Sequence, residues 1–364
     1  MSSIRSIGVL TSGGDCAGLN AVIRAVTARA IRRYGWRVTG VIDGTLGLSE
    51  RPLRHVPLTL DTFNGDVLRM GGTMLGTVNK GDPFHSPLPD GGVQDRSLDF
   101  IAGARELGLD ALVAIGGDGS MNIVSRLCAR GNVPMVGIPK TIDNDVACTE
   151  HAVGFSTAVA VCVEALDRLH STAASHRRAM ILEVMGRDAG HIALESAIAG
   201  GADVCLVPEI PYTLQGVIRR LWTIHDERRR HALVVVAEGV ATPDGQSIRQ
   251  LQSQGESRYG GIGAWLAKAL EDHLGSMEIR VTVLGHVQRG GTPTWRDRVI
   301  ASAYGVKAVD LLAAGQFDHM VAWRDRGVVA VPLQEVVARG TRTLDPQGTL
   351  VGTARGLGIY LGEE

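Results

Sequence analysis

The sequence predicts an α/β fold of doubly wound, mostly parallel sheets, arranged in two domains. Short, nearly continuous apolar runs recur along the 364 residues and alternate with stretches of helical period, the pattern of parallel strands covered on both faces. Glycine is abundant at 47 residues and aromatic residues make up only 4%, which fits many tight turns between short elements. With 45% hydrophobic residues, a chain of this length fills two packed cores.

The elements follow in order. Ile7-Gly8-Val9-Leu10 reads as a strand, Thr11-Ser12-Gly13-Gly14-Asp15 as a turn, and Gly18 to Ala30 as a helix. Thr77 to Asp95, rich in Pro, Gly and Asp, reads as a loop. Ala111-Leu112-Val113-Ala114-Ile115 is a second strand; Gly116-Gly117-Asp118-Gly119-Ser120 turns out of it, and Met121 to Leu127 is a helix. Such glycines let the backbone approach phosphates, and the helix N-terminus behind them offers free N–H donors and a favourable dipole. Pro134-Met135-Val136-Gly137-Ile138 is a third strand, followed by Pro139-Lys140-Thr141-Ile142-Asp143-Asn144-Asp145. Further strands are expected at Arg178–Val184, Asp203–Pro208, Ala232–Ala237 and Ile279–Leu284. Helices are expected at Ala158–Leu169, Ala189–Ile198, Gln215–His225 and Ile262–Leu274, and Pro243 to Tyr259 reads as a polar surface excursion.

Composition excludes several classes. Net charge is −1 with no basic stripe, which argues against nucleic acid as a partner. No 18-residue apolar run and no basic-then-apolar leader occurs, so neither a membrane nor secretion is expected. The five cysteines, Cys16, Cys128, Cys148, Cys162 and Cys205, form no C-x-x-C pair and read as reduced small hydrophobes of a cytoplasmic protein. Cys16, beside the first glycine turn, reads as accessible, with nothing in the sequence to mark it as reactive. No Walker-type motif is present, and the first turn lacks a full Gly-x-Gly-x-x-Gly, against dinucleotide binding.

The run Pro139–Asp145 leaves a strand's carboxyl end, where open α/β sheets place ligands. Two carboxylates and a Lys there suit phosphoryl transfer, which needs a base, a metal ligand and positive charge. They also suit an Asx-rich turn whose side chains cap backbone groups, and the residues alone leave both readings open. Asp118 amid its glycines has the character of a Mg²⁺ ligand. Arg178, Arg187, Arg280 and Arg289 stand near strand ends, where a guanidinium fork grips phosphate oxygens or makes surface ion pairs.

Five motifs together resemble the 6-phosphofructokinase family, and within it the actinobacterial ATP-dependent and mixed-donor branch. They are Gly8–Asp15, Gly116–Ser120, Pro139–Asp145, Glu183-Val184-Met185-Gly186-Arg187 and Val283-Leu284-Gly285-His286-Val287-Gln288-Arg289-Gly290-Gly291. They occur in family order across roughly residues 5 to 315; the last fifty residues match more loosely. The resemblance implies the phosphofructokinase fold of two similar lobes. A donor-phosphate lobe would span 1–154 plus 288–338, and a sugar-phosphate lobe 155–287 plus 339–364.

The implied reaction is phosphoryl transfer from ATP to the 1-hydroxyl of fructose 6-phosphate, an early step of glycolysis. By resemblance Asp143 is the general base, Thr141 orients the transferring group and Arg187 offsets developing charge. Gly14, Gly117, Asp118, Gly119, Ser120 and Lys140 line the donor, and Asp118 and Asp145 hold Mg²⁺. Thr141, Asp143, Arg178, Met185, Gly186, Arg187, Glu238, Arg280, His286 and Arg289 hold fructose 6-phosphate. Arg178 and Arg280 would reach the site of a neighbouring subunit in a homotetramer. From its own position after Ala232–Ala237, Glu238 suits sugar hydroxyls or a helix cap.

Set against the family pattern, further positions bear on donor choice and regulation, some matching it and some departing from it. Small Gly119 leaves room for a nucleotide α-phosphate where pyrophosphate users carry Asp. Lys140 resembles those pyrophosphate users, so pyrophosphate stands as the alternative donor. Asn79 stands where many ATP users have Arg, with Lys80 beside it as a replacement cation. Arg24 and Arg229 match a basic effector site of bacterial relatives, whereas Ala28 and Glu227 do not.

Overall fold

The computed structural model describes residues 4–79, 82–88, 91–226, 229, 231–251, 257–275 and 277–362. Lys80 and Glu227 lie outside them. The chain divides into two compact units, one of Met1–Thr141, Val146–Ser156 and Arg289–Thr341, the other of Ile142–Asp145, Thr157–Gln288 and Arg342–Glu364.

The first unit is built on one large sheet. Its strand order is Gly327–Pro332, His319–Arg324, Met135–Thr141, Ala111–Gly116, Ser6–Thr11, Arg37–Val41 and His55–Leu58, with Val153–Gly154 beside Met135–Thr141. The inner strands are parallel and the outermost pair at each end is antiparallel. Every residue of Ser6–Thr11 and Ala111–Gly116 is buried, which is why both read as continuous apolar runs. On one face Leu10, Leu112, Ala114 and Met135 meet Phe100, Met121, Leu127 and Leu333 in a single core. Each such Leu or Phe contributes about 1.5–3 kcal/mol relative to exposure. Helices Leu19–Arg29 and Trp295–Ala313 pack on each other, and the second also packs on Met135–Thr141. From Ser6–Thr11 the chain passes first to a strand on one side and later to Ala111–Gly116 on the other. That reversal is the switch point where open parallel sheets bind ligands, and a glycine turn leaves the carboxyl end of both strands there.

The second unit has a fully parallel sheet in the order Val204–Leu206, Ala232–Ala237, Ala179–Val184, Ile279–Val283. Helices His191–Ala199, Leu214–Asp226, Ile262–Glu271 and Thr349–Gly356 belong to it, and Tyr360 bridges to Val204. Here too the order reverses beside Ala179–Val184. The turn Met185-Gly186-Arg187 and the residue Glu238 leave its two central strands at their carboxyl ends.

The doubly wound, mostly parallel α/β class is borne out, with shifts at element ends. The third strand runs Met135–Thr141, so Lys140 and Thr141 belong to the sheet rather than to the turn after it. The helix expected from Met121 starts at Asp118, which puts Asp118, Gly119 and Ser120 in its first turn. The strand expected at Asp203–Pro208 shortens to Val204–Leu206, although the Asp203 backbone still pairs with Leu233 and Tyr360. The first helix ends at Arg29 and continues as a π-turn, Ala30–Tyr34. The excursion Pro243 to Tyr259 carries a small antiparallel ribbon, Arg249–Leu251 with Ser257–Tyr259. Among the described residues no helix is long and apolar enough to cross a membrane.

Candidate active site

In the first unit a set of polar groups gathers on the Gly13-Gly14 turn. Ser12 N–H donates to Ile115 O at 2.9 Å and Gly13 N–H to Val78 O at 3.2 Å, tying the turn to the neighbouring strand and to the 70–79 loop. Thr77 Oγ1 donates to Gly13 O at 2.5 Å, and Thr11 Oγ1 to Gly76 O at 2.6 Å. Buried Asn20 fixes the start of that loop, donating to Met70 O and Gly71 O and accepting the Met74 N–H at 2.8 Å. Lys140 is 4% exposed and its ammonium donates to Gly14 O. The Arg289 guanidinium packs on Gly14: a Cβ there would lie 2.4 Å from Nη1. A Cβ on Gly13 would lie 3.1 Å from Ser120 Oγ and 3.4 Å from Lys140 Nζ. Two cations, a hydroxyl and a glycine backbone thus converge at a sheet switch point, an arrangement suited to a phosphate chain.

Asp118 opens the helix Asp118–Gly131, where its charge complements the helix dipole. Its Oδ1 accepts the Gly119 N–H at 2.7 Å, while Thr341 Oγ1 is 3.4 Å from Oδ2, too long for a strong hydroxyl hydrogen bond. Among the described residues no group of three or more His, Cys, Asp or Glu side chains gathers as a metal centre. A half-buried carboxylate with a weakly engaged oxygen does fit Mg²⁺, which takes one or two carboxylates and keeps its remaining places for phosphate oxygens and water. A Cβ on Gly119 would meet nothing within 4 Å, so that helix turn faces open space. Asn79 is exposed.

In the second unit Ile142-Asp143-Asn144-Asp145 forms a buried turn with Asn144 at φ 53°. Met185-Gly186-Arg187 forms another, with Gly186 at φ 153° and Arg187 at φ 51°. A long side chain in the left-handed region is unusual, and its neighbours account for it. Met185 N–H donates to Gln288 Oε1 at 3.0 Å; Gly186 and Arg187 N–H both donate to Glu238 Oε1, at 3.4 and 3.1 Å. Gly239 is required beside it, since a Cβ there would lie 1.9 Å from Arg187 O. Glu238 therefore holds the Arg187 turn.

Arg178 and Arg280 share one carboxylate, Glu278, across neighbouring strands. Ion pairs this exposed contribute about 0–1 kcal/mol. His286 is exposed in the turn Gly285–Arg289, and Gly285 has φ 52°. Glu183, 2% exposed, accepts the Gly261 and Gly263 N–H groups at 2.9 and 2.8 Å. It caps the helix Ile262–Glu271, a duty its place in the Glu183–Arg187 motif did not signal. Cys16 corrects an expectation. It is fully buried, its thiol donates to Val153 O at 3.3 Å, and burial pushes its pKa up, so it is neither accessible nor reactive.

The first unit thus brings Gly14, Ser120, Lys140 and Arg289 together. The second joins Gly186 and Arg187 to Glu238 and Met185 to Gln288, and brings Arg178 and Arg280 together on Glu278. Sequence reasoning missed Asn20, Gln288 and Arg342, the last bound to the Asn144 carbonyl. A polar residue that serves a distant backbone group leaves no local pattern.

The family model for Phosphofructokinase matches residues 6–312. "ATP-dependent 6-phosphofructokinase 1" of Synechocystis sp. is 55% identical over 364 residues, covering all of both chains. "Pyrophosphate--fructose 6-phosphate 1-phosphotransferase" of Streptomyces coelicolor is 45% identical over 344 residues, 93% of this chain and 96% of that one. Among solved structures, phosphofructokinase from Saccharomyces cerevisiae superposes with a TM-score of 0.78 at 28% identity, over 97% of this chain and 46% of that one. This chain therefore spans about half the length of the yeast chain. The glycine turns, the Asp143 turn and the Arg187 turn all stand within the matched residues, and the chain belongs to the phosphofructokinase family.

Proposed function

We infer that the protein is an ATP-dependent 6-phosphofructokinase, transferring the γ-phosphoryl group of ATP to the 1-hydroxyl of D-fructose 6-phosphate to give fructose 1,6-bisphosphate in glycolysis. The observation that carries the reading is the 55% identity, over the full length of both chains, with a relative named for that activity. The convergence of Lys140, Ser120 and Arg289 on the Gly13-Gly14 turn supports it chemically.

In this reading the first unit is the donor lobe and the second the sugar-phosphate lobe. Gly14, Gly117, Gly119, Ser120 and Lys140 hold the donor phosphates. Asp118 and Asp145 hold Mg²⁺, which when bound neutralises charge on the phosphate oxygens. Met185, Gly186, Arg187, Glu238, His286 and Arg289 hold fructose 6-phosphate, and Arg178 and Arg280 act across a homotetramer interface in the cytoplasm. The Asp143 carboxylate accepts the proton of the 1-hydroxyl as that oxygen bonds to the γ-phosphorus and the bond to the ADP oxygen breaks. Thr141 orients the group in flight and Arg187 offsets its charge. A carboxylate suffices as base because the transition state is loose and positioning does most of the work.

Pyrophosphate is the alternative donor. Lys140 favours it, as does the 45% identity with the Streptomyces coelicolor relative. The test is a coupled assay of the purified protein with each donor in turn. Fructose 1,6-bisphosphate formed with ATP at a kcat/KM well above that with pyrophosphate is expected; the reverse order establishes the alternative, and no product with either overturns the kinase reading.

A further inference from the structure

The turn Ile142–Asp145 belongs to no strand or helix, yet its four residues are only 3–6% exposed. Asn144 at φ 53° is a left-handed residue, a conformation that persists where surroundings over-determine it. Arg342 supplies much of that determination. Its Nε and Nη2 both donate to the Asn144 carbonyl oxygen, at 3.1 and 2.7 Å, and its own N–H donates to the Asp145 carbonyl oxygen at 2.7 Å. One residue thus makes three hydrogen bonds to two consecutive carbonyls, two of them charge-assisted and from a rigid fork. Arg342 is itself anchored: its carbonyl oxygen lies 3.3 Å from Nε2 of His191, at the first residue of the helix His191–Ala199. The turn bearing Asp143 and Asp145 is therefore tied through Arg342 to a helix of the same unit.

We propose that Arg342 is a positioning residue for phosphoryl transfer, fixing the backbone of the Asp143–Asp145 turn so that the Asp143 carboxylate meets the sugar hydroxyl. The inference rests on Asp143 as the general base. Arg342 donates to main-chain oxygens rather than to substrate, so its loss acts on kcat more than on substrate affinity. Displacing a reacting group by about 1 Å costs up to about 10²-fold in rate.

The test measures kcat, KM for fructose 6-phosphate and thermal midpoint for Arg342→Met, Arg342→Lys, Asp143→Asn and the double variant Arg342→Met with Asp143→Asn. Arg342→Met is expected to lose roughly 10–10²-fold in kcat with KM changed less than about threefold. Arg342→Lys, which keeps a donor and the charge but not the fork, falls in between. Because Arg342 acts through Asp143, removing it from Asp143→Asn costs less than about threefold more, the non-additivity of coupled residues. A folded Arg342→Met with wild-type kcat overturns the proposal, as does a loss that multiplies in full in the Asp143→Asn background. If Arg342→Met does not fold, Arg342→Lys, alone and with Asp143→Asn, is judged by the same criteria. Near-normal kcat in Asp143→Asn removes the general-base reading and this proposal with it. A crippled Asp143→Asn beside a neutral Arg342→Met removes the proposal alone.

Discussion

Glu238 Oε1 accepts the backbone N–H of Arg187 at 3.1 Å while Arg187 sits at φ 51°. The carboxylate therefore offsets part of the strain of a left-handed arginine, worth about 1–3 kcal/mol. Glu238→Ala removes the acceptor from two N–H groups at once. It should raise KM for fructose 6-phosphate and lower kcat/KM by about 10²-fold, in line with the loss of a half-buried charged hydrogen-bond partner. Glu238→Gln keeps an oxygen for both N–H groups and should lose about tenfold or less. Steady-state kinetics against fructose 6-phosphate decide; equal losses in the two variants mean that the negative charge, not the turn, is what matters.

His191 ties pH to stability. Burial, with the Arg342 cation next in effect, lowers its pKa from 6.5 to about 4. Between those values the unfolded chain binds a proton that the folded protein refuses, so stability is full above pH 6.5 and falls as pH drops toward 4. The loss approaches roughly 3 kcal/mol, at 1.36 kcal/mol per unit. His191→Gln should flatten that part of the curve. Urea unfolding midpoints measured from pH 7.5 to pH 4 check it, and an identical slope in wild type and variant excludes His191 as the titrating group.

Gly14 and Arg289 offer a cleaner test of packing at the glycine turn. Gly14 is not in the left-handed region, so Ala there carries no backbone strain. Its Cβ would, however, fall 2.4 Å from Arg289 Nη1, and the guanidinium must move. Gly14→Ala should fold normally, within a few degrees in Tm, and lose roughly 10–10²-fold in kcat/KM, the sensitivity expected of a displaced positioning group. Arg289→Ala should show a similar loss and the double variant little more. A multiplicative loss means Gly14 acts independently of Arg289.

How far the sequence reached depends on what each residue touches. Ser6–Thr11 and Ala111–Gly116 were legible because both faces are covered and their stretches Ile7–Leu10 and Ala111–Ile115 lack polar side chains. Arg37–Val41 and Gly327–Pro332 went unremarked: each mixes exposed or half-exposed residues with buried ones near a sheet edge, and that pattern resembles a loop. Glycines and carboxylates at strand ends drew attention to the candidate site because those residue types are costly elsewhere. Cys16 misled because adjacency to a surface turn says nothing of which way a side chain points. Arg342 was invisible, and Gln288 stood in its motif without a role, for a related reason. Their partners are backbone groups far away in sequence, and a carbonyl oxygen or an N–H has no residue type to recognise.

Donor choice is the sharpest remaining prediction, and it turns on Gly119 and Lys140. Gly119 lies in the first turn of Asp118–Gly131, and a Cβ there would meet nothing within 4 Å. An Asp at this place fits the fold and even complements the helix dipole, so Gly119→Asp should not lower Tm. Its bulk and charge would instead oppose the α-phosphate of a nucleotide, a group pyrophosphate lacks. The variant should therefore lose kcat/KM for ATP by at least about 10²-fold, and for pyrophosphate by less than about tenfold, the difference between a like-charge clash and its absence. Lys140 works the other way. It is buried and donates to Gly14 O, and the smaller donor depends more heavily on each cation near its phosphates. Lys140→Gly should weaken pyrophosphate use the most, leaving ATP the better donor by a wider margin than in wild type. Measuring kcat/KM for both donors in wild type and both variants, with Tm beside each, separates the effects. If wild type prefers pyrophosphate, or if Gly119→Asp weakens both donors equally without unfolding, space at Gly119 does not set the choice and Lys140 becomes its principal determinant.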